Sequence, residues 1–294
     1  MDQILSLCDH YVLSPLVYPE DWPETSVKRQ FCSLMIIVTL SGYLLYFFAA
    51  GLSYVFIFDK RLMKHPLFLK NQIWKEMKVA CSSVPLMSFL SVLCFLLEVR
   101  GYSKLYDSIE ESRLGWLSLP ISMVTFILFT DCLIYFIHRG LHARWLYKHF
   151  HKTHHLWKIP SPWASHAFNP IDGFVQSFPY HLYVFLFPMH KYLYLAMFLF
   201  VNFWTVSIHD GDFRVPKVLK QIINGSAHHT DHHLFYNYNY GQFFTLWDRI
   251  GGSFRNPSAF EKDSPLDQIL KGVEQGVVGC QRAEVGSITK RKSQ

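Results

Sequence analysis

The chain has 294 residues, half of them apolar, with 26 Phe, 16 Tyr and 8 Trp and a net charge of +6. That composition is too apolar and aromatic for a disordered chain, and its length allows several membrane spans plus a polar cap. The basic residues lie in separate loops between apolar stretches, which argues against nucleic acid as a partner.

Residues 1–30 are acidic and contain proline, with no basic start and no compact apolar run, so they do not read as a signal peptide. Residues 31–58 carry no charge and suffice for one span, since a bilayer core needs ~20 apolar residues. Residues 79–97 form a second span. Residues 114–137 form a third, with Asp131 as its only acidic residue. Two shorter apolar stretches, 173–189 and 192–208, are separated by Pro188, His190 and Lys191. They read as a tight helical hairpin, or as one span with a partly inserted segment. The expectation is an all-α integral membrane protein, with about four to five apolar membrane helices and a cytoplasmic histidine-rich helical cap.

Loop charge sets the orientation. Residues 59–78 carry Lys60, Arg61, Lys64, Lys70, Lys75 and Lys78 against Asp59 and Glu76. Residues 1–30 carry only Lys28 and Arg29 against Asp2, Asp9, Glu20, Asp21 and Glu24. The 59–78 loop is therefore expected in the cytoplasm and the N-terminal segment 1–30 in the lumen. The third span then leaves the membrane on the cytoplasmic side near His138, into a basic segment with Arg139, Arg144, Lys148, Lys152 and Lys158. For residues 138–155 and 228–233 to share a site, the chain between them must cross the membrane an even number of times. The two short stretches at 173–208 supply two shallow crossings, or none if both are re-entrant. The expected organisation is the 1–30 segment, membrane helices over 31–137, a histidine-cluster catalytic domain over 138–256, and a flexible cytoplasmic tail over 257–294. The tail ends Lys290-Arg291-Lys292-Ser293-Gln294, which fits the Lys-x-Lys-x-x signal for return to the endoplasmic reticulum.

Sixteen histidines are many for this length, and most fall in three clusters. They are His138-x-x-x-His142, His151-x-x-His154-His155 and His228-His229-x-x-His232-His233. Residues three and four apart share a helix face, so each cluster converges. A lone histidine is ordinarily a surface residue or a satisfied core residue. Three clusters on one side of the membrane point to metal. Imidazole suits iron, zinc, copper or nickel. The one H-x-x-x-H and two H-x-x-H-H motifs alone supply eight ligands, too many for one ion, and the count favours a dinuclear site. His209, at the end of the last apolar stretch, is a further candidate ligand. Neutral imidazoles do not balance two divalent ions, so nearby carboxylates are expected. Asp131, Asp210, Asp212 and Asp231 are candidates, with Asp131 and Asp231 proposed as supporting carboxylates. Asp131 lies on one helix face with residues 135, 138 and 142.

The order H-x-x-x-H, H-x-x-H-H, H-x-x-H-H, with apolar spans between, resembles the fatty acid hydroxylase/sterol desaturase superfamily of membrane di-iron enzymes. Longer stretches are similar to the vertebrate sterol C-5 desaturases within it. These include Tyr-Phe-Ile-His-Arg-Gly-Leu-His (135–142), Pro-Ser-Pro-Trp-Ala-Ser-His-Ala-Phe-Asn-Pro-Ile-Asp-Gly (160–173), Ser-Ile-His-Asp-Gly-Asp-Phe (207–213) and Asn-Gly-Ser-Ala-His-His-Thr-Asp-His-His (224–233). Phe136 and Asn169 depart from the wider pattern, which often has Trp and His there. The resemblance implies two Fe ions held by the ten histidines, with zinc able to substitute in purified samples. It implies dehydrogenation of lathosterol between carbons 5 and 6 to 7-dehydrocholesterol, in cholesterol biosynthesis. O2 would be the co-substrate, with electrons from NADH through cytochrome b5 and its reductase. The alternatives are a sterol or fatty acyl hydroxylase of the C-4 methyl oxidase type, and a histidine-rich membrane metal-binding or transport protein. A transporter would carry ligands along a mid-membrane path, whereas these clusters flank charged residues outside the apolar cores.

Overall fold

The computed structural model describes residues 1–213, 216 and 218–274. From residue 275 onward the expected tail, with its basic motif, lies outside the described residues. The chain is helical. Its ordered elements are α1 (Asp2–Cys8), α2 (Val27–Phe56), α3 (Gln72–Val99), α4 (Ser118–Leu141), α5 (Pro170–Leu186), α6 (Lys191–Ser207), α7 (Ser226–Phe235), α8 (Leu246–Ile250) and α9 (Pro265–Glu274). Two dipeptide strands, β1 (Leu105–Tyr106) and β2 (Met189–His190), pair in parallel.

Among the described residues, three helical segments are long and apolar enough to cross a membrane: Val27–Phe56, Gln72–Val99 and Gly115–Leu141. Their outer faces expose large apolar side chains, among them Leu44, Phe48, Phe89, Leu93 and Val124. Such a surface suits lipid and would be a liability in water. Their inner faces bury Leu34, Val92, Phe126 and Ile134 against Tyr183 and Val184 of α5 and Val201 of α6. Helix α3 starts at Gln72, before its apolar run, because Glu76 turns inward. Glu76 accepts from Gln72 Nε2 at 2.7 Å and from the Ser161 hydroxyl, which ties α3 to the loop after the second histidine cluster.

The 173–208 region forms a hairpin of two 17-residue helices, each about 26 Å long against a hydrocarbon core of ~30 Å. Asn169 caps α5 by accepting the Ile171 N–H at 2.9 Å, with Pro170 in the first turn. The chain leaves α5 at Phe187–Pro188, and His190 Nδ1 accepts the Tyr192 N–H to start α6. The register Leu105↔Met189 joins the tip of this hairpin to the loop between α3 and α4. The N-terminus meets the same end, where Lys191 bridges Asp2 (2.5 Å) and Asp107 (2.8 Å). Helix α5 therefore runs away from the histidines and α6 returns to them. At the opposite end the loop after α2 packs under the cap. Phe58 and Leu62 contact Ile159, Leu234, Leu266 and Ile269 there.

Candidate metal centre

Four pieces of chain deliver the histidines. The last turn of α4 carries His138, and His142 follows it directly. Residues 144–156 are irregular, with a wide π-type turn at Tyr147–His151 and a tight one at His154–Leu156. His209 follows α6, and α7 carries His228, His229, His232 and His233.

Nine of these rings gather into two groups. His138, His142, His151, His155 and His232 form the first, and His154, His209, His229 and His233 the second. Within each, one nitrogen per residue lies within 4.8 Å of all the others. The groups adjoin, with the rings of His155 and His233 4.9 Å apart. Each H-x-x-H-H cluster is shared between them. The residues four apart (His151 and His155; His229 and His233) stay together, and the intervening one (His154; His232) turns to the other group.

Nitrogen spacing fits metal coordination. Two nitrogens about 2.1 Å from one ion are about 3.0 Å apart at a right angle and about 3.4 Å apart at the tetrahedral angle. His151 Nε2 lies 3.2 Å from His138 Nε2 and 3.1 Å from His155 Nε2. His229 Nε2 lies 3.0 Å from His209 Nε2 and 3.1 Å from His233 Nε2. His142 Nε2 and His232 Nε2 are buried without any hydrogen-bond partner. A buried nitrogen aimed at other nitrogens is costly unless a cation stands between them. Burial, reinforced by the neighbouring histidines, holds His142, His154, His155, His229, His232 and His233 well below the usual imidazole range. His209 is held down to about 4 by burial, with His166 adding to the effect and the Thr205 carbonyl opposing it. These seven are therefore neutral at pH 7, the form that binds metal.

The outer nitrogens are fixed. Nδ1–H donates from His138 to the Tyr240 carbonyl (2.9 Å), from His232 to Tyr238 (2.7 Å) and from His209 to Thr205 (2.7 Å). His151 donates instead to Asp172 Oδ2 at 2.8 Å, with both side chains fully buried. Each bond sets the tautomer that leaves Nε2 free to coordinate. Asp248 accepts the N–H groups of Tyr240 and Gly241, both at 2.8 Å, and so positions the carbonyl that holds His138. Burial pushes the Asp248 carboxyl up, against these bonds.

The other sequence candidates lie elsewhere. Asp131 accepts the backbone N–H groups of Gln242, Phe243 and Phe244, at 2.7–3.2 Å, and braces the strand-like segment that contains Tyr240. Asp231 accepts from Ser258 and pairs with Arg255. Both thus bind chain segments that flank the site. His228 belongs to neither group. Neighbouring helix residues point about 100° apart, and its ring faces Phe254 and Phe260. Asp172 escaped sequence reasoning because it sits in the first turn of α5, where an acidic residue reads as a helix-dipole partner. Its histidine lies 21 residues away, and no local pattern joins them.

Residues 123–253, which enclose all nine rings, match the fatty acid hydroxylase family. The chain is 58% identical to lathosterol oxidase of Homo sapiens over 93% of this chain and 92% of that protein. It is 56% identical to lathosterol oxidase of Mus musculus over 99% of this chain and all of that protein. A Delta(7)-sterol 5(6)-desaturase of Saccharomyces cerevisiae is 50% identical over 86% of this chain and 67% of its own length. No solved structure matches the chain.

Proposed function

The chain belongs to the fatty acid hydroxylase family, and from that premise we propose that it is a membrane-bound sterol C-5 desaturase converting lathosterol to 7-dehydrocholesterol. The observation that carries this reading is the 58% identity to a lathosterol oxidase over 93% of the chain, and the pair of adjoining histidine groups at one end of a bundle of apolar helices supports it. A bilayer-soluble substrate meets such a site without leaving the membrane.

The proposed cofactor is a pair of iron ions, one per group. The donor set suits them: nine imidazoles on two six-coordinate ions leave about three positions for other ligands. Zinc would occupy the same nitrogens in a purified sample. Bound there, iron supplies the O2-derived oxidising power that abstraction of hydrogen from an unactivated carbon needs and no side chain has. Overall, sterol, O2, two electrons and two protons give the diene and two waters.

The protein's own part is positioning. Asp172 and the carbonyls of Tyr238, Tyr240 and Thr205 fix four rings. The end of α4 carries His142, the turn at His154–Leu156 carries His154 and His155, and α7 carries His229 and His233. We further propose that the site faces the cytoplasm at the endoplasmic reticulum, and that electrons come from NADH through cytochrome b5 and its reductase. The exposed Arg144, Lys148 and Lys152, on the segment that bears the second histidine cluster, support an acidic donor docking there.

Microsomes containing the protein, supplied with lathosterol, NADH and O2, test the reading by mass spectrometry. A product lighter by two hydrogens is expected. One heavier by an oxygen would replace desaturation with hydroxylation, and unchanged sterol beside an active control would overturn both.

A further inference from the structure

Away from the nine rings, one polar pair stands in an otherwise apolar setting. Asn202 lies in α6 among Leu199, Phe200, Val201 and Phe203. A polar side chain in a membrane helix is costly, and its presence asks for a reason. Asn202 Oδ1 lies 3.3 Å from His166 Nε2, and the other ring nitrogen of His166 lies 3.0 Å from the Ser165 hydroxyl. Asn202 Nδ2 donates to the Phe198 carbonyl at 2.7 Å. Both residues are only partly buried.

Two features separate this pair from a plain interhelix staple. The first is unused capacity. An amide has two N–H donors and two acceptor lone pairs, and these contacts occupy one of each. One donor and one acceptor remain, the two roles that a hydroxyl can answer. The second is location. Phe168 lies beside both His166 (6.1 Å between ring centroids) and His154 of the second group (5.7 Å). Tyr46 packs edge-on against His166 at 5.5 Å and holds its own hydroxyl on the Trp163 carbonyl. The pair is therefore separated from the second histidine group by a single aromatic ring, Phe168.

Dimensions agree. Asn202 precedes His209 by seven residues, about 10 Å along a helix. In a sterol, three covalent bonds separate the ring hydroxyl oxygen from carbon 5, a distance of about 4 Å. A reactive contact adds about 3–3.5 Å. The sum fits within that separation.

We propose that Asn202 and His166 form the subsite that receives the ring hydroxyl of the sterol and so sets which carbons face the histidine groups. This inference rests on the sterol desaturase reading above. A site built to bond a hydroxyl discriminates against an analogue that lacks it, because its own polar groups are then left unpaired.

The test compares lathosterol with its 3-deoxy analogue, in membranes bearing the wild-type protein, Asn202→Leu or Asn202→Ser. The wild type should favour lathosterol in kcat/KM by about a hundredfold or more. Asn202→Leu should reduce that preference at least about tenfold, and Asn202→Ser, which keeps a donor and an acceptor, by less. Metal content should match the wild type in both variants. Equal turnover of the two sterols by the wild type, or an unchanged preference in Asn202→Leu, overturns the subsite. If Asn202→Leu does not accumulate, an unchanged preference in Asn202→Ser overturns it. Failure of the wild type to desaturate lathosterol at all would instead refute the parent reading.

Discussion

Replacing Asp172 separates charge from geometry at the first histidine group. Its Oδ2 accepts from His151 Nδ1–H and its Oδ1 from Gln176 Nε2, each at 2.8 Å. Asn at this position can turn its carbonyl oxygen to His151 and its amide nitrogen to a flipped Gln176. The ring keeps its tautomer and loses only the charge. A hydrogen bond to a charged group contributes about 1.5–3 kcal/mol and a neutral one about 0.5–1.5, so Asp172→Asn should weaken metal binding about tenfold. Asp172→Ala removes the acceptor and strands a fully buried N–H, which should raise the loss toward about a hundredfold. His151 serves the first group alone, so metal content should fall from two ions toward one in the alanine variant. Chelator competition on detergent-purified protein, followed by elemental analysis, measures both quantities. Wild-type affinity in Asp172→Ala, or equal loss from both groups, would refute the role assigned to this carboxylate.

The partition of the histidines makes a related prediction. His232→Ala and His229→Ala should each cost one metal ion, from different groups, while His228→Ala keeps both, as elemental analysis would report. Gly211 adopts φ +68°, and a Cβ there would lie 2.5 Å from Leu62 Cδ1. Gly211→Ala should therefore lower stability by about 1–3 kcal/mol, seen as an earlier thermal unfolding transition and a loss of metal near His209. The metal-free protein should weaken in acid. His209 titrates at about 4 when folded against an ordinary value of 6.5, so the unfolded chain takes up its proton first as pH falls. This stability is intact above pH 6.5 and is lost progressively down to pH 4, about 3 kcal/mol from this group alone. Denaturant midpoints that stay constant across that range would contradict the assignment.

The apolar runs announced the three long helices, because lipid leaves the chain few other ways to satisfy its backbone. Their ends were less legible. Helix α3 begins seven residues before the apolar run at 79, since Lys75 and Lys78 stay exposed while Glu76 finds a buried partner in Ser161. The hairpin was legible from Pro188 and the two short runs, but its depth depends on the Leu105↔Met189 pairing, a tertiary contact. The histidine clusters were visible by spacing alone. Their division between two groups was not, because residues 144–156 are not a regular helix and α7 is shared by both groups. Asp172 and Asp248 were hidden for the same reason: each acts through a contact that folding creates. Asp131 was recognised as important from its helix face, yet it holds the backbone of residues 242–244 rather than a ring.

The central claim is that nine histidines divide five to four between two adjoining metal ions. An experimental structure of the iron-loaded protein, with anomalous diffraction recorded at the iron edge, tests it directly. Two peaks are predicted, one among His138, His142, His151, His155 and His232 and the other among His154, His209, His229 and His233. A single peak, or an ion bound by His228, would contradict it.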